Sequence, residues 1–553
     1  MNTEHSSLRL IDLPDELLLM IFKYMKKALA LYSLMGINRR FDRILQDPIF
    51  VSHLTLMTCT SSSFIYPMYK KTIDRFCLYI LPQIHHQVKW LNLEISSMKR
   101  LLLAVEYTNL CGLGLYNIRE ETDRHIFNDE SFLAHILKNP ISTLVIRFAK
   151  NKTPILMEDT KTNIFRNILI IFANLHHLNF DASLNMNIEP MFNWQLSQTC
   201  SSSILKELHI TVKYFHDCLY LLDGCFNQLE TFFVNIDLIC NQSSTINDQE
   251  KLPNMKCFSL TCNDATLKYY ELIVPLLHRM SNLESLALYL MVNNHYMKER
   301  FIDGNDLKEN IINHLPRLEK FAFNIHSRTI FFNQIYLPSN EDIKNTFTSF
   351  KDNQIISWVD YSQNKKAGQC HIYSLPYTTK YYKNITNNFP GGLFKCVREI
   401  SLCDEHPFEH EFFTRIAEAF PYLKKLYLTN RQSQQHKQSQ SSKDMTIKEY
   451  SIIKYSHLTE LDLSLVHDDY VEQFLDDTKT YLSKNIKLSV EYKSLQSITY
   501  NFTRETTRTN CAKINNIHFY DGIFAIPEHF RMYFPLMKHR SMLSYFNINY
   551  LDK

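Results

Sequence analysis

Residues 205–210 read LKELHI, with apolar side chains at the first, fourth and sixth positions. Positions four and six are two apart, so on an extended strand both side chains point to the same side. The first position turns toward that same core from the preceding corner. The pattern returns as LHHLNF from Leu175, LETFFV from Leu229, MKCFSL from Met255, LESLAL from Leu283 and LEKFAF from Leu318. After a gap it comes back as VREISL from Val397, LKKLYL from Leu423 and LTELDL from Leu458. VKWLNL from Val88 belongs with them, and LQSITY from Leu495 is a weaker instance. The starts at 175, 205, 229, 255 and 283 lie 30, 24, 26 and 28 residues apart.

Helix-like stretches separate these strands. DATLKYYELIVPLLHRM runs from Asp264, whose carboxylate can cap a helix by accepting a backbone N–H. HEFFTRIAEAF runs from His410 and ends before Pro421. Pro253, Pro316 and Pro421 fall just ahead of three strands, where a helix must stop. One strand and one helix cannot bury their apolar faces alone, whereas stacked neighbours can. The spacing is close to the ~20–29-residue period of leucine-rich repeats. The chain resembles that family in degenerate form, since of its usual Asn or Cys three residues past position six only Asn263 is present. The expected fold is an α/β repeat: an irregular leucine-rich-repeat solenoid, a horseshoe with a parallel sheet along one side. Residues 327–395 interrupt it. There IISWVDYS from Ile355 and QCHIYSLPY from Gln369 alternate like strands around QNKKAG, which predicts a β-hairpin insertion. RQSQQHKQSQSSKD from Arg431 is polar and low in complexity, and reads as a loop.

The totals exclude several function classes. At 553 residues the chain exceeds one ordinary compact domain. Its 60 basic and 57 acidic residues give a net charge of +3, and the basic residues are scattered pairs such as Lys26-Lys27 and Lys424-Lys425. A nucleic-acid footprint needs them clustered, so no nucleic-acid partner is expected. The 13 cysteines form no CxxC pair, which suits reduced thiols in a cytoplasmic or nuclear protein. The start MNTEHSSLRLIDLPDE lacks the order of a secretory signal, and no apolar stretch approaches the ~20 residues that span a bilayer; no membrane association is expected. Only 9 residues are Gly. Phosphate-binding loops need Gly where backbone meets the ligand, and Gly112-Leu113-Gly114 is followed by Asn117 where a third Gly would stand. No cofactor is expected.

LPDELLLMIF occupies residues 13–22. Pro14 suits a first helical turn, and Asp15 and Glu16 complement its positive end. Leu17 to Phe22 follow as six apolar residues in a row, each turned about 100° from the last. A surface helix shows one apolar stripe; this one is apolar all round. Two short helices follow, ALALYSLMG from Ala28 and NRRFDRILQD from Asn38. So few residues cannot enclose the first helix, so part of its surface must meet another molecule or the downstream chain.

This segment resembles the F-box, the adaptor-docking module of SCF-type ubiquitin ligases. The matching residues are Leu13-Pro14-x-Glu16-Leu17-Leu18, Ile21-Phe22-x-Tyr24-Met25, Leu31, Leu34, Asn38-Arg39-Arg40-Phe41, Ile44-Leu45 and Asp47-Pro48. The resemblance covers about residues 8–53. Phe41 stands for an aromatic that is often Trp, and the second helix lacks the usual acidic or Pro lead-in. The resemblance implies a three-helix F-box over 1–53, a solenoid over 54–326, the insertion over 327–395, and a continued solenoid with its C-terminal cap over 396–553. It further implies a non-catalytic receptor that binds a Skp-family adaptor, and through it a cullin ligase core, while the solenoid holds a protein substrate. The adaptor contacts carried over are Leu13, Pro14, Glu16, Leu17, Ile21 and Phe22. Two other classes fit the sequence. One is a leucine-rich-repeat scaffold with no ligase. The other is a zinc hydrolase built on His406-x-x-Glu409-His410, whose two His are four apart with a Glu able to act as base.

Overall fold

A computed structural model describes residues 9–60, 64–119, 123–127, 141–149, 159–181, 201–226, 228–240, 251–294, 300–331, 337–348, 350, 354–362, 366–435, 451–521 and 530–537. The chain divides into two compact units, Met1–Asn293 with Asn305–Ile325, and Asn294–Gly304 with His326–Lys553.

After a 3-10 turn at Leu10–Asp12, the first unit carries four short α-helices, α1 (Asp15–Tyr24), α2 (Lys27–Leu34), α3 (Arg39–Leu45) and α4 (Pro48–Val51). Strand β1 (His53–Leu56) follows after one residue, then a small antiparallel ribbon of β2 (Thr58–Cys59) and β3 (Ile65–Tyr66). Helix α5 (Lys70–Arg75), a π-helical turn at Phe76–Ile80 and α6 (Leu81–Ile84) lead to β4 (Trp90–Glu94) and α7 (Ile95–Leu102). The sheet continues with β5 (Gly112–Ile118), β6 (Thr143–Phe148), β7 (His177–Asp181), β8 (Glu207–Tyr214), β9 (Thr231–Leu238), β10 (Cys257–Thr266), β11 (Ser285–Asn293) and the first half of β12 (Lys320–Ile330), whose residues from His326 on belong to the second unit. Each strand from β1 and β4 through β11 lies parallel to the next.

The apolar spacing of the sequence explains this order. In β8, β9, β10 and β11 the motif residues, from Leu205, Leu208 and Ile210 through Leu283, Leu286 and Leu288, are at most 4% exposed. The corner before each strand repeats one hydrogen-bond device. The carbonyl of His176 accepts the N–H groups of both Lys206 and Glu207; Lys206 does the same for Glu230 and Thr231, and Glu230 for Lys256 and Cys257. One oxygen thereby satisfies two donors and fixes the register of the next strand.

The second unit carries an antiparallel pair, β13 (Ile355–Ser362) and β14 (Ala367–Ser374), with Ile355 opposite Ser374 and Ser362 opposite Ala367. Six further strands form a parallel sheet: β15 (Tyr381–Ile385), β16 (Glu399–Cys403), β17 (Lys425–Asn430), β19 (Glu460–Val466), β21 (Ile486–Val490) and β22 (Ile514–Phe519). Strands β18 (Ile453–Tyr455) and β20 (Thr480–Leu482) pair separately. Helices His410–Ala419 and Asp468–Leu475 cover the sheet's apolar side, where Phe412, Phe413, Ile416, Tyr470 and Phe474 join its core.

The expected architecture, a three-helix F-box followed by a leucine-rich-repeat solenoid with a hairpin insertion, is corrected. The described residues form an α/β fold on a twelve-stranded, mostly parallel sheet in the order β1-β4-β5-β6-β7-β8-β9-β10-β11-β12-β14-β13, with a separate sheet of six strands. The hairpin strands are members of the larger sheet. The N-terminal helices number four and do not stand apart: α4 runs into the edge strand β1, and Arg75 from α5 donates to the carbonyls of Tyr32 and Met35. The connections between strands also differ in kind, from the eight-residue α7 to the π-turn and short helix at Tyr269–His278. Two local expectations change with the fold. Asp264 does not cap a helix, because β10 continues through a bulge to Thr266, whose Oγ1 accepts the Lys268 N–H. LQSITY lies on helix Tyr492–Ile498 and the turn after it, with Leu495 turned into the core. The polar loop from Arg431 lies outside the described residues from 436 onward.

Gly112 and Gly114 lie on β5, where the Trp90 indole and the Asn92 side chain occupy the space a Cβ would need. Trp90 donates to Asn92 Oδ1 at 2.8 Å and stacks on His53. Gly112→Ala should therefore lower stability by about 1–3 kcal/mol in urea unfolding. Trp90→Ala placed in the same chain should return part of that loss.

Candidate docking surface

Helix α1 divides its apolar run between two faces. Leu18 and Phe22, one turn apart, are fully buried, and the Phe22 ring meets Phe41 of α3 edge-on at 5.5 Å. Leu17, Met20, Ile21 and Tyr24 are 44%, 54%, 39% and 91% exposed. Their spacing places them on one stripe about 100° wide, turned away from the buried pair. Leu10 and Ile11, just before the helix, are exposed as well.

A cationic lock fixes this orientation. Arg40 Nε donates to Asp15 Oδ1 at 2.6 Å, while its two terminal nitrogens donate to the carbonyls of Ile11 (2.8 Å) and Leu13 (2.6 Å). Arg43 reaches the other Asp15 oxygen at 2.8 Å. A forked guanidinium can bridge one carboxylate and two carbonyls; an ammonium could not hold that geometry. The hydrogen bond from Arg40, with its charge and that of Arg43, holds the Asp15 carboxyl below its usual value of 3.8, against a smaller opposing effect of desolvation. A depressed carboxylate stabilises the fold above its unfolded value and loses that contribution as pH falls through the folded one. The lock is therefore complete above about pH 4 and weakens below it.

The local sequence sets α3 so that Arg40 can reach. Asn38 caps α3, its side chain accepting the Phe41 N–H at 2.9 Å. Gly36 turns the chain between α2 and α3 at φ +86°, a conformation that favours glycine, and donates to Asp42 Oδ1 at 2.6 Å. A side chain at Gly36 would also strike the Tyr79 ring.

Of the residues drawn from the sequence, Leu17 and Ile21 lie on the exposed stripe. Pro14 and Glu16 are exposed at the helix start, and Leu13 is half-buried with its carbonyl held by Arg40. Phe22 is corrected to an internal packing residue, because α3 places Phe41 against it. Met20 and Tyr24 share this stripe but were not among the adaptor contacts drawn from the sequence, although the spacing 17, 20, 21, 24 carried the signal. Arg40 was legible only as part of the resemblance, not as the lock on α1, because its partners lie 25 to 29 residues away and leave no local pattern.

His406, Glu409 and His410 do not converge. His410 begins a helix with its ring nitrogens near Gln473 Oε1 and the Ser451 carbonyl, both at 3.3 Å, while the His406 N–H bonds Asp404. Among the described residues no three His, Cys, Asp or Glu side chains are grouped to hold a metal, and no helix is long and apolar enough to cross a membrane. Comparison with models of known protein families and with curated proteins finds no match.

Replacing Arg40 by Ala should free residues 9–16 while leaving the sheets intact. Hydrogen exchange should show faster amide exchange over the start of α1, with β4 to β6 unchanged.

Proposed function

We propose that this chain is the substrate-recognition subunit of an SCF-type ubiquitin ligase. Its α1 stripe docks a Skp-family adaptor, and through it a cullin core, while the sheet-bearing remainder binds a protein substrate. The observation that carries this reading is the exposed apolar stripe of α1 on a helix anchored by the fully buried Leu18 and Phe22. Four neighbouring apolar side chains held in water by a rigid scaffold are unfavourable, and covering them returns on the order of 1 kcal/mol each. A preorganised helix also forfeits little entropy when it enters a groove, the usual mode for amphipathic helix recognition. Leu17 and Ile21, with Met20 and Tyr24, anchor in the adaptor. Leu13 and Pro14 set the helix start, and Glu16 lies beside the stripe. The resemblance of residues 13–48 to the F-box motif in sequence supports this adaptor class. The thirteen cysteines with no CxxC pair suit the cytoplasm or nucleus, where such ligases act.

Leu17→Asp with Ile21→Asp places two charges on exposed positions, so the fold should survive. Adaptor affinity should drop at least ~100-fold, as expected when central anchors are lost. Co-purification of a Skp-family adaptor with wild-type and variant chains checks this, and undiminished recovery with the variant would remove the assignment. Phe22→Asp should instead unfold the N-terminal helices, because the charge would be buried unpaired.

A further inference from the structure

The second unit encloses two imidazoles in one aromatic cluster. His326 of β12 and His371 of β14 have ring centroids 5.4 Å apart, and both residues are buried. Trp358 of β13 lies 6.3 Å from the first and 5.8 Å from the second. Tyr382 of β15 packs edge-on against His371 at 4.9 Å and accepts the Trp358 indole N–H at 3.0 Å. The same Tyr382 ring touches Tyr373, Tyr377, Phe389, Phe394 and Phe420, so it joins the hairpin strands to the six-stranded sheet within this unit.

We propose that this imidazole pair makes the junction of β12, β14 and β15 an acid-opened seam, closed at neutral pH and parted when either ring takes up a proton. The geometry sets the sense of the effect. An imidazolium here would lose its hydration and face a second imidazole at close range. The ionised groups acting on His326 are Arg328 on its own strand and Lys383 on β15, both cations; Gln369 of β14 and Asn384 of β15 are its polar neighbours, the latter 3.5 Å from Nδ1. His371 meets His326 from the neighbouring strand β14, with Tyr373 beside it on β14 and Tyr382 on β15. Burial first, then the nearby cations, drives His326 down to about 3, and burial drives His371 well below its usual 6.5.

The sign follows. A base whose folded value is depressed binds its proton preferentially in the opened chain. The closed form is therefore fully favoured above the ordinary value of 6.5 and loses ground as pH falls from there toward about 3. From pH 7.5 to 5.0 the ratio of closed to opened forms should fall roughly 30-fold through His326 alone, and His371 adds to the fall in the same direction.

Hydrogen exchange of the whole chain at pH 7.5, 6.0 and 5.0, corrected for intrinsic rates, reads the seam directly. Amides of β14 and β15 should lose protection with falling pH while those of β19 and β21 keep theirs. Uniform protection across the four strands at all three pH values would overturn the proposal. His326→Gln with His371→Phe should flatten the pH response of β14 and β15, and a variant that kept the wild-type response would overturn it too. If the double variant does not fold, the wild-type comparison of the four strands decides alone.

Discussion

The fork of Arg40 into Asp15 and the carbonyls of Ile11 and Leu13 decides what the N-terminal helices present to solvent. It sets the rotation of α1 about its own axis. With that rotation fixed, Leu18 and Phe22 point into the protein and Leu17, Met20, Ile21 and Tyr24 point out. A rotation of 180° would reverse the assignment without altering composition or helix length. Since Asp15 is held by two guanidinium groups and α3 is capped by Asn38, the arrangement rests on charge and hydrogen-bond geometry as much as on apolar packing.

The rest of the chain meets a different constraint. Parallel strands need a connection long enough to return, and each returning strand must find its register. The shared carbonyl at each corner supplies the register, and the period-two burial of the strands supplies the adhesion. Glycine is scarce because few positions need it. Gly36 turns the chain ahead of α3, while Gly112 and Gly114 leave room for Trp90 and Asn92 beside β5.

Strands were legible in the sequence wherever alternation was strong. LKELHI falls on β8, LESLAL on β11, LKKLYL on β17, and the stretches from Ile355 and Gln369 on β13 and β14. What the alternation could not carry was how the strands are partitioned. A local period of two says which side chains share a face; it does not say that the hairpin joins the first run of strands, or that β15 begins a second sheet. It also could not distinguish LQSITY, where Leu495 is buried equally well on a helix. At the site, Leu17 and Ile21 were readable from the resemblance. Phe22 was misplaced because six consecutive apolar residues conceal which side is covered, and that depends on Phe41 and Arg40 in another helix.

The central claim is that the outward stripe of α1 exists to be covered by a second protein. Calorimetric titration of the purified chain with a Skp-family adaptor tests it most directly. Saturable one-to-one binding with a negative heat-capacity change, the mark of apolar burial, is expected. No saturable heat at adaptor concentrations up to roughly 100 μM, with both proteins folded, would contradict it.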